Sequence, residues 1–168
     1  MQLIPYNRQA AVNYAHQWAL ARNPRYFDFS EYGGDCSSFV SQCLYAGSSI
    51  MNYSPVYGWY YISAGQRTAS WSSVVYLHRF LTTNSSVGPY GLSMGPFTVH
   101  DAPPAPIGPG DIVQLCREDG TYYHSLLITD TTDGVRVTAH SFDAHNTPLV
   151  EYVCHSLRYI HILGVRNW

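Results

Sequence analysis

Charge is scarce in this chain. Asp, Glu, Lys and Arg make up only 12% of its 168 residues, about half of the roughly 25% usual in soluble domains. Nine basic residues against eleven acidic ones leave a net charge of −2, so there is no basic footprint for nucleic acid. No apolar run approaches the ~20 residues of a membrane span. Met1 to Tyr6 lacks a charged start followed by an apolar stretch, so no secretory leader is read there. Cysteine is also sparse. Cys36, Cys43, Cys116 and Cys154 contain no C-x-x-C pair, which excludes a disulfide scaffold. Cys43, Cys116 and Cys154 read as small buried residues. Neither H-E-x-x-H, G-x-S-x-G nor a phosphate-cradling glycine loop is present, and no metal or cofactor is expected.

Aromatics, by contrast, are abundant: 15% of the chain, fifteen of them tyrosines. Such a composition excludes disorder and suits neutral polar ligands such as glycans or peptides. The length fits one domain, residues 1–168, around one core. A first helix is capped by Asn7, with Ala11, Tyr14, Ala15, Trp18 and Ala19 on one face, and ends at Asn23-Pro24. A second runs from Cys36 to Tyr45, with Asp35 as its N-cap and Gly47 placed to end it. Between Ser48 and His100 only a helix near Trp71 to Leu81 is read, and the rest reads as long loops. After the extended Ala102–Pro106 connector come short strands: Ile112–Leu115, Tyr122–Thr129, Val135–His140, Leu149–Val153 and Tyr159–Val165. Helices first and strands later predict an α+β fold, with N-terminal helices packed on a C-terminal antiparallel sheet or half-barrel.

Cys36 is the sharpest single feature. It follows Gly33-Gly34-Asp35 and opens a helix. Free N–H groups and the positive helix end stabilise a thiolate there, and the same groups can hold the oxyanion of acyl transfer. A thiol nucleophile needs a base, and the base an orienting partner. A hairpin centred on Thr132 sets Thr129 opposite Val135, and hence His124 opposite His140. His124 is then the candidate base and His140 its partner. Asp143 is second choice for the third role, reached only if the chain bends. His124, His140 and Asp143 as metal ligands is the weaker reading.

The residues also carry a family resemblance. Tyr6-Asn7-Arg8 through Trp18-Ala19, Gly33-Gly34-Asp35-Cys36-Ser37-Ser38-Phe39-Val40-Ser41-Gln42, Gly110-Asp111, Tyr123-His124-Ser125 and Ala139-His140-Ser141-x-Asp143 resemble, in order, the putative amidase domain family of bacterial proteins. That family is similar to the NlpC-type and CHAP-type cysteine peptidases. The resemblance implies a papain-like (NlpC-type) fold, Cys36 as nucleophile, His124 as general base and His140 as the third polar residue. It also implies an extracellular or cell-envelope setting. Ser37-Ser38 departs from the family's usual Thr-Asn beside the nucleophile.

These readings converge on cysteine-dependent hydrolysis of an amide through a thioester, with peptidoglycan-type peptides or related N-acyl amides as substrate and a monomer as the working form. Asp35 caps the helix in this reading and Ser37 lines the cleft. Tyr53, Tyr57, Trp59, Tyr60, Tyr61 and Trp71 are candidate walls of a charge-poor, aromatic cleft. Two alternatives use the same residues differently: acyl transfer to an amine or alcohol, and a non-catalytic glycan- or peptide-binding domain.

Overall fold

The computed structural model describes residues 1–168. Its elements run β1 (Gln2–Ile4), α1 (Arg8–Trp18), α2 (Cys36–Ser48), β2 (Tyr61–Ser63), β3 (Gln66–Arg67), α3 (Ala69–Ser72), α4 (Val74–Thr83), β4 (Gly88–Phe97), β5 (Ile112–Cys116), β6 (Tyr122–Asp130), β7 (Arg136–Ala139), β8 (Ala144–Pro148) and β9 (Ser156–Asn167). The fold is α+β. One seven-stranded sheet has the order β1-β9-β5-β6-β7-β8, with β4 on the other edge of β9, and its named ladders are all antiparallel. No helix is long and apolar enough to cross a membrane.

Alternation along the strands builds two apolar layers. Ile112, Leu127, Ile160, Ile162 and Val165 face the helices and join Phe39, Val40, Cys43 and Leu44 of α2. Val113, Leu115, Leu126, Ile128, Val137 and Tyr159 face the other way, under Phe97, Val99, Ile107, Leu149 and Tyr152. Trp59 and Trp71 are fully buried on the helix side, 5.1 Å apart between ring centroids. The Trp59 indole donates to Ser41 Oγ at 3.0 Å. These two rings therefore build the core, not a cleft wall, while Tyr53 and Tyr57 are exposed.

The helices begin where expected and end elsewhere. Asn7 Oδ1 accepts from the Ala10 N–H at 3.0 Å, but α1 stops at Trp18, well before Pro24. The Trp18 carbonyl instead accepts from His140 Nε2 at 2.7 Å. Gly47 does not end α2. It lies inside the helix because a Cβ there would collide with the Tyr6 ring and sit 2.8 Å from the Asn7 carbonyl. Termination falls to Ser49, left-handed at φ 58°.

Two strands lie where turns or loops were expected. β4 carries Gly88, Pro89, Gly91, Gly95 and Pro96, yet pairs with β9 over most of its length. As an edge strand it tolerates proline, because its outer side needs no ladder donors. β8 fills the stretch between the strands expected at Val135–His140 and Leu149–Val153, and Leu149–Glu151 forms a 3-10 turn where a strand was expected.

Candidate active site

Cys36 opens α2 and lines a cavity of about 460 Å³. The turn before it uses Gly33 at φ 92° and Gly34 at φ 104°, conformations that a side chain would strain. The Gly34 N–H donates to the Phe29 carbonyl at 3.0 Å, and the first intrahelical bond runs from Phe39 N–H to Asp35 carbonyl at 2.9 Å. Burial pushes the Cys36 thiol up from its ordinary value. Hydrogen bonds from the Ser125 main chain, the Ser37 hydroxyl and the Ser37 main chain pull it part of the way back. The resting group is therefore shifted toward thiol, against the expectation of a thiolate stabilised at the helix start.

Asp35 stands at the N-cap position, but its side chain makes no capping bond. Oδ1 accepts from the Phe29 N–H at 2.9 Å, and Oδ2 meets His140 Nδ1 at 2.6 Å. The Asp35 N–H donates to Ser141 Oγ at 2.7 Å. Asp35 thus ties the loop before Cys36 to the end of β7, and the expected helix cap is corrected to a tertiary clamp.

The two histidines do not pair. In the β6–β7 ladder Leu127 lies opposite Thr138 and Ile128 opposite Val137. An irregularity follows, and Asp130 lies opposite Arg136. This differs by one residue from the expected hairpin, and continuing it sets His140 across from Ser125. A one-residue slip exchanges the faces of a strand. His140 leaves the ladder after Ala139 and is buried, stacked on Phe39 at 3.9 Å. Both its ring nitrogens are engaged, with Asp35 and with the Trp18 carbonyl, so it does not orient His124. Asp143 is not its substitute: it forms a two-point pair with Arg22, 3.0 Å at each oxygen.

His124 lies opposite Leu115 in the β5–β6 ladder. Its ring packs near Tyr123 and Tyr152, with centroids 6.4 and 6.3 Å away. Desolvation pushes its pKa down to about 4, so it is the neutral form that burial favours. The ring makes no hydrogen bond to Cys36. The structure brings Sγ to the main chain of Ser125, the next residue, whose hydroxyl meets Ser37 Oγ at 2.9 Å and accepts from Gln114 at 3.1 Å.

Phe29, Tyr32, Tyr122 and Tyr123 give the cavity aromatic walls, but Arg67 and Arg117 line it too. None of the six expected wall residues (Tyr53, Tyr57, Trp59, Tyr60, Tyr61 and Trp71) lines it, and it is not charge-poor. No histidine or carboxylate lines it. No group of three or more His, Cys, Asp or Glu side chains is arranged to hold a metal ion. Sequence reasoning missed Arg22, Ser125, Ser141 and Arg117. Ser125 and Ser141 each follow a singled-out histidine, and parity along the strand would have pointed Ser125 at α2.

A family model described as a putative amidase domain matches residues 5–163. The chain is 30% identical over 147 residues to the uncharacterized protein YhbB of Bacillus subtilis (strain 168), a match covering 83% of this chain and 42% of that protein. The chain therefore spans about two-fifths of that relative's length. No solved structure matches.

Proposed function

The chain belongs to the putative amidase domain family, and on that premise we propose that it hydrolyses amide bonds through a thioester on Cys36. We assign it an NlpC-type, papain-like framework formed as one domain over residues 1–168, with cell-wall peptides or related N-acyl amides as substrates. The observation that carries this reading is the position of Cys36, at a helix start and lining a cavity, with main-chain N–H groups directed at its sulfur.

The chemistry follows from the protonation states. Burial raises the thiol and lowers His124, so the resting pair is neutral and the proton must move during attack. In the proposed first step His124 takes the Cys36 proton as Sγ bonds to the carbonyl carbon. The Cys36 N–H, free at the first turn of α2, helps hold the oxyanion. Collapse breaks the C–N bond, and the leaving amine takes the proton from His124. Water, deprotonated by His124, then cleaves the thioester and restores the thiol.

His124 shares the sheet face of Leu115 and Tyr152 in the resting structure, away from α2, so this step requires the start of β6 to rearrange, beyond a turn of the ring, when substrate binds. Catalytic hydrogen bonds commonly tighten only in the substrate complex. The test is incubation of wild type, Cys36→Ala and His124→Gln with peptidoglycan fragments and N-acyl amides, with products read by mass spectrometry. Wild type alone should release a free acid and amine. Identical products from wild type and Cys36→Ala would remove the thioester reading.

A further inference from the structure

The cavity that Cys36 lines has a charge opposite in sign to that of the whole chain. The net charge is −2, yet two guanidinium groups and no carboxylate line this space. All nine basic residues are arginines, and two of the others are neutralised in place. Arg8 pairs with Asp111, and Arg22 pairs with Asp28, Asp35 and Asp143. Arg67 and Arg117 have no carboxylate partner within ion-pair distance.

The two are held differently. Arg67 stacks over Phe29 with its Cζ 4.3 Å from the ring centre. Its Nε donates to Ser72 Oγ at 3.0 Å and its Nη1 to the Ala64 carbonyl. Arg117 stacks over Tyr123 at 4.2 Å, and its guanidinium makes no hydrogen bond within the protein. Glu118 and Asp119 follow it in the chain without forming an ion pair with it. The ring fixes the plane of the fork while all its N–H groups remain free. A planar, pre-oriented guanidinium is the group best matched to a carboxylate.

We propose that Arg117, aided by Arg67, selects amide substrates that carry a carboxylate beside the scissile bond. This rests on the reading of Cys36 as nucleophile and specifies its substrate: an acidic peptide or N-acyl amide in place of a neutral one. Arg117 is a specificity-determining residue in this account and takes no part in proton transfer.

The test has two independent arms. In the first, Cys36 is alkylated with iodoacetate, an anion, and with iodoacetamide, its neutral analogue, and the label is located by peptide mass spectrometry. A cysteine in a neutral reference peptide supplies the intrinsic ratio of the two rates. Relative to that ratio, wild-type Cys36 should favour iodoacetate by about tenfold at low salt. Arg117→Gln should remove most of the preference, and Arg117→Lys should retain part of it. A ratio equal to the reference, a ratio indifferent to Arg117→Gln, or a Cys36 inert to both reagents would overturn the proposal.

In the second arm, matched amides ending in a carboxylate or a carboxamide are compared by kcat/KM. Wild type should prefer the carboxylate by about tenfold or more, the scale of one charge-assisted hydrogen bond, and Arg117→Gln should bring the two together. Equal rates on both with Cys36-dependent turnover would sink the specificity claim alone. Turnover that survives Cys36→Ala, alongside an Arg117-dependent alkylation ratio, would sink the thioester reading alone.

Discussion

His140 and Asp35, 105 residues apart in sequence, meet at 2.6 Å with each side chain 1% exposed. The other ring nitrogen faces the Trp18 carbonyl at 2.7 Å. Both ring nitrogens are thus engaged by buried partners. The contact joins three elements: the end of α1, the loop before Cys36 and the end of β7. Removing one partner leaves a buried polar group uncompensated. His140→Ala should therefore cost about 3 kcal/mol of stability in urea unfolding. Because His140 does not touch His124, the acid limb of the pH–rate profile should stay in place in that variant. A shifted limb with unchanged stability would return His140 to the orienting role.

Ser141 makes a smaller version of the same link. Its hydroxyl accepts from the Asp35 N–H at 2.7 Å. Ser141→Ala leaves that part-buried donor without its partner and should cost about 1 kcal/mol, measured by thermal or urea denaturation. The loop before Cys36 should also loosen, seen as faster amide hydrogen exchange at Asp35.

His124 gives a prediction in pH. Its folded pKa of about 4 lies below the ordinary 6.5, so the unfolded chain takes up the proton first. Its contribution to stability is complete above pH 6.5 and is lost as the pH falls from 6.5 toward 4. Wild type should lose more stability over that window than His124→Gln. As the base it stays neutral to about pH 4, so the acid limb of kcat/KM should lie near 4. A limb near 6.5 would assign the proton transfer to another group or to an exposed imidazole.

Gly47 tests the packing of the two long helices. A Cβ there meets the Tyr6 ring and the Asn7 carbonyl, and Tyr6 is itself held by its hydroxyl donating to the Gly110 carbonyl at 3.0 Å. Although alanine is the better helix former, Gly47→Ala should destabilise by about 2 kcal/mol, read from the urea midpoint. A neutral or stabilised variant would show that Tyr6 can move aside.

Local features were legible in the sequence: the Asn7 cap, the start of α2 at Cys36, the β5 and β6 strands and the α+β order. Each depends on neighbours within a few residues. Features set by distant contacts were not legible. Asp35 looked like a cap because its partner His140 is over a hundred residues away. The His124–His140 pairing failed because the hairpin turns about Asp133, with Asp130 opposite Arg136, and not about Thr132; the irregularity between Ile128 and Asp130 takes back only one residue of that offset. β4 was hidden by its glycines and prolines, and Trp59 and Trp71 by their setting among Ser, Tyr and Gly. The arginines of the cavity were not legible because nothing local marks Arg117 as lining the same cavity as Cys36.

The most direct test of the account is to catch the acyl group on the enzyme. Wild type is mixed with a substrate amide, quenched in acid within the first turnovers and analysed by peptide mass spectrometry. The account predicts a mass increase equal to the substrate's acyl portion on the peptide containing Cys36. The adduct should be labile to hydroxylamine and absent from Cys36→Ala. Steady turnover with no adduct at Cys36, or with the acyl group on another residue, would contradict it.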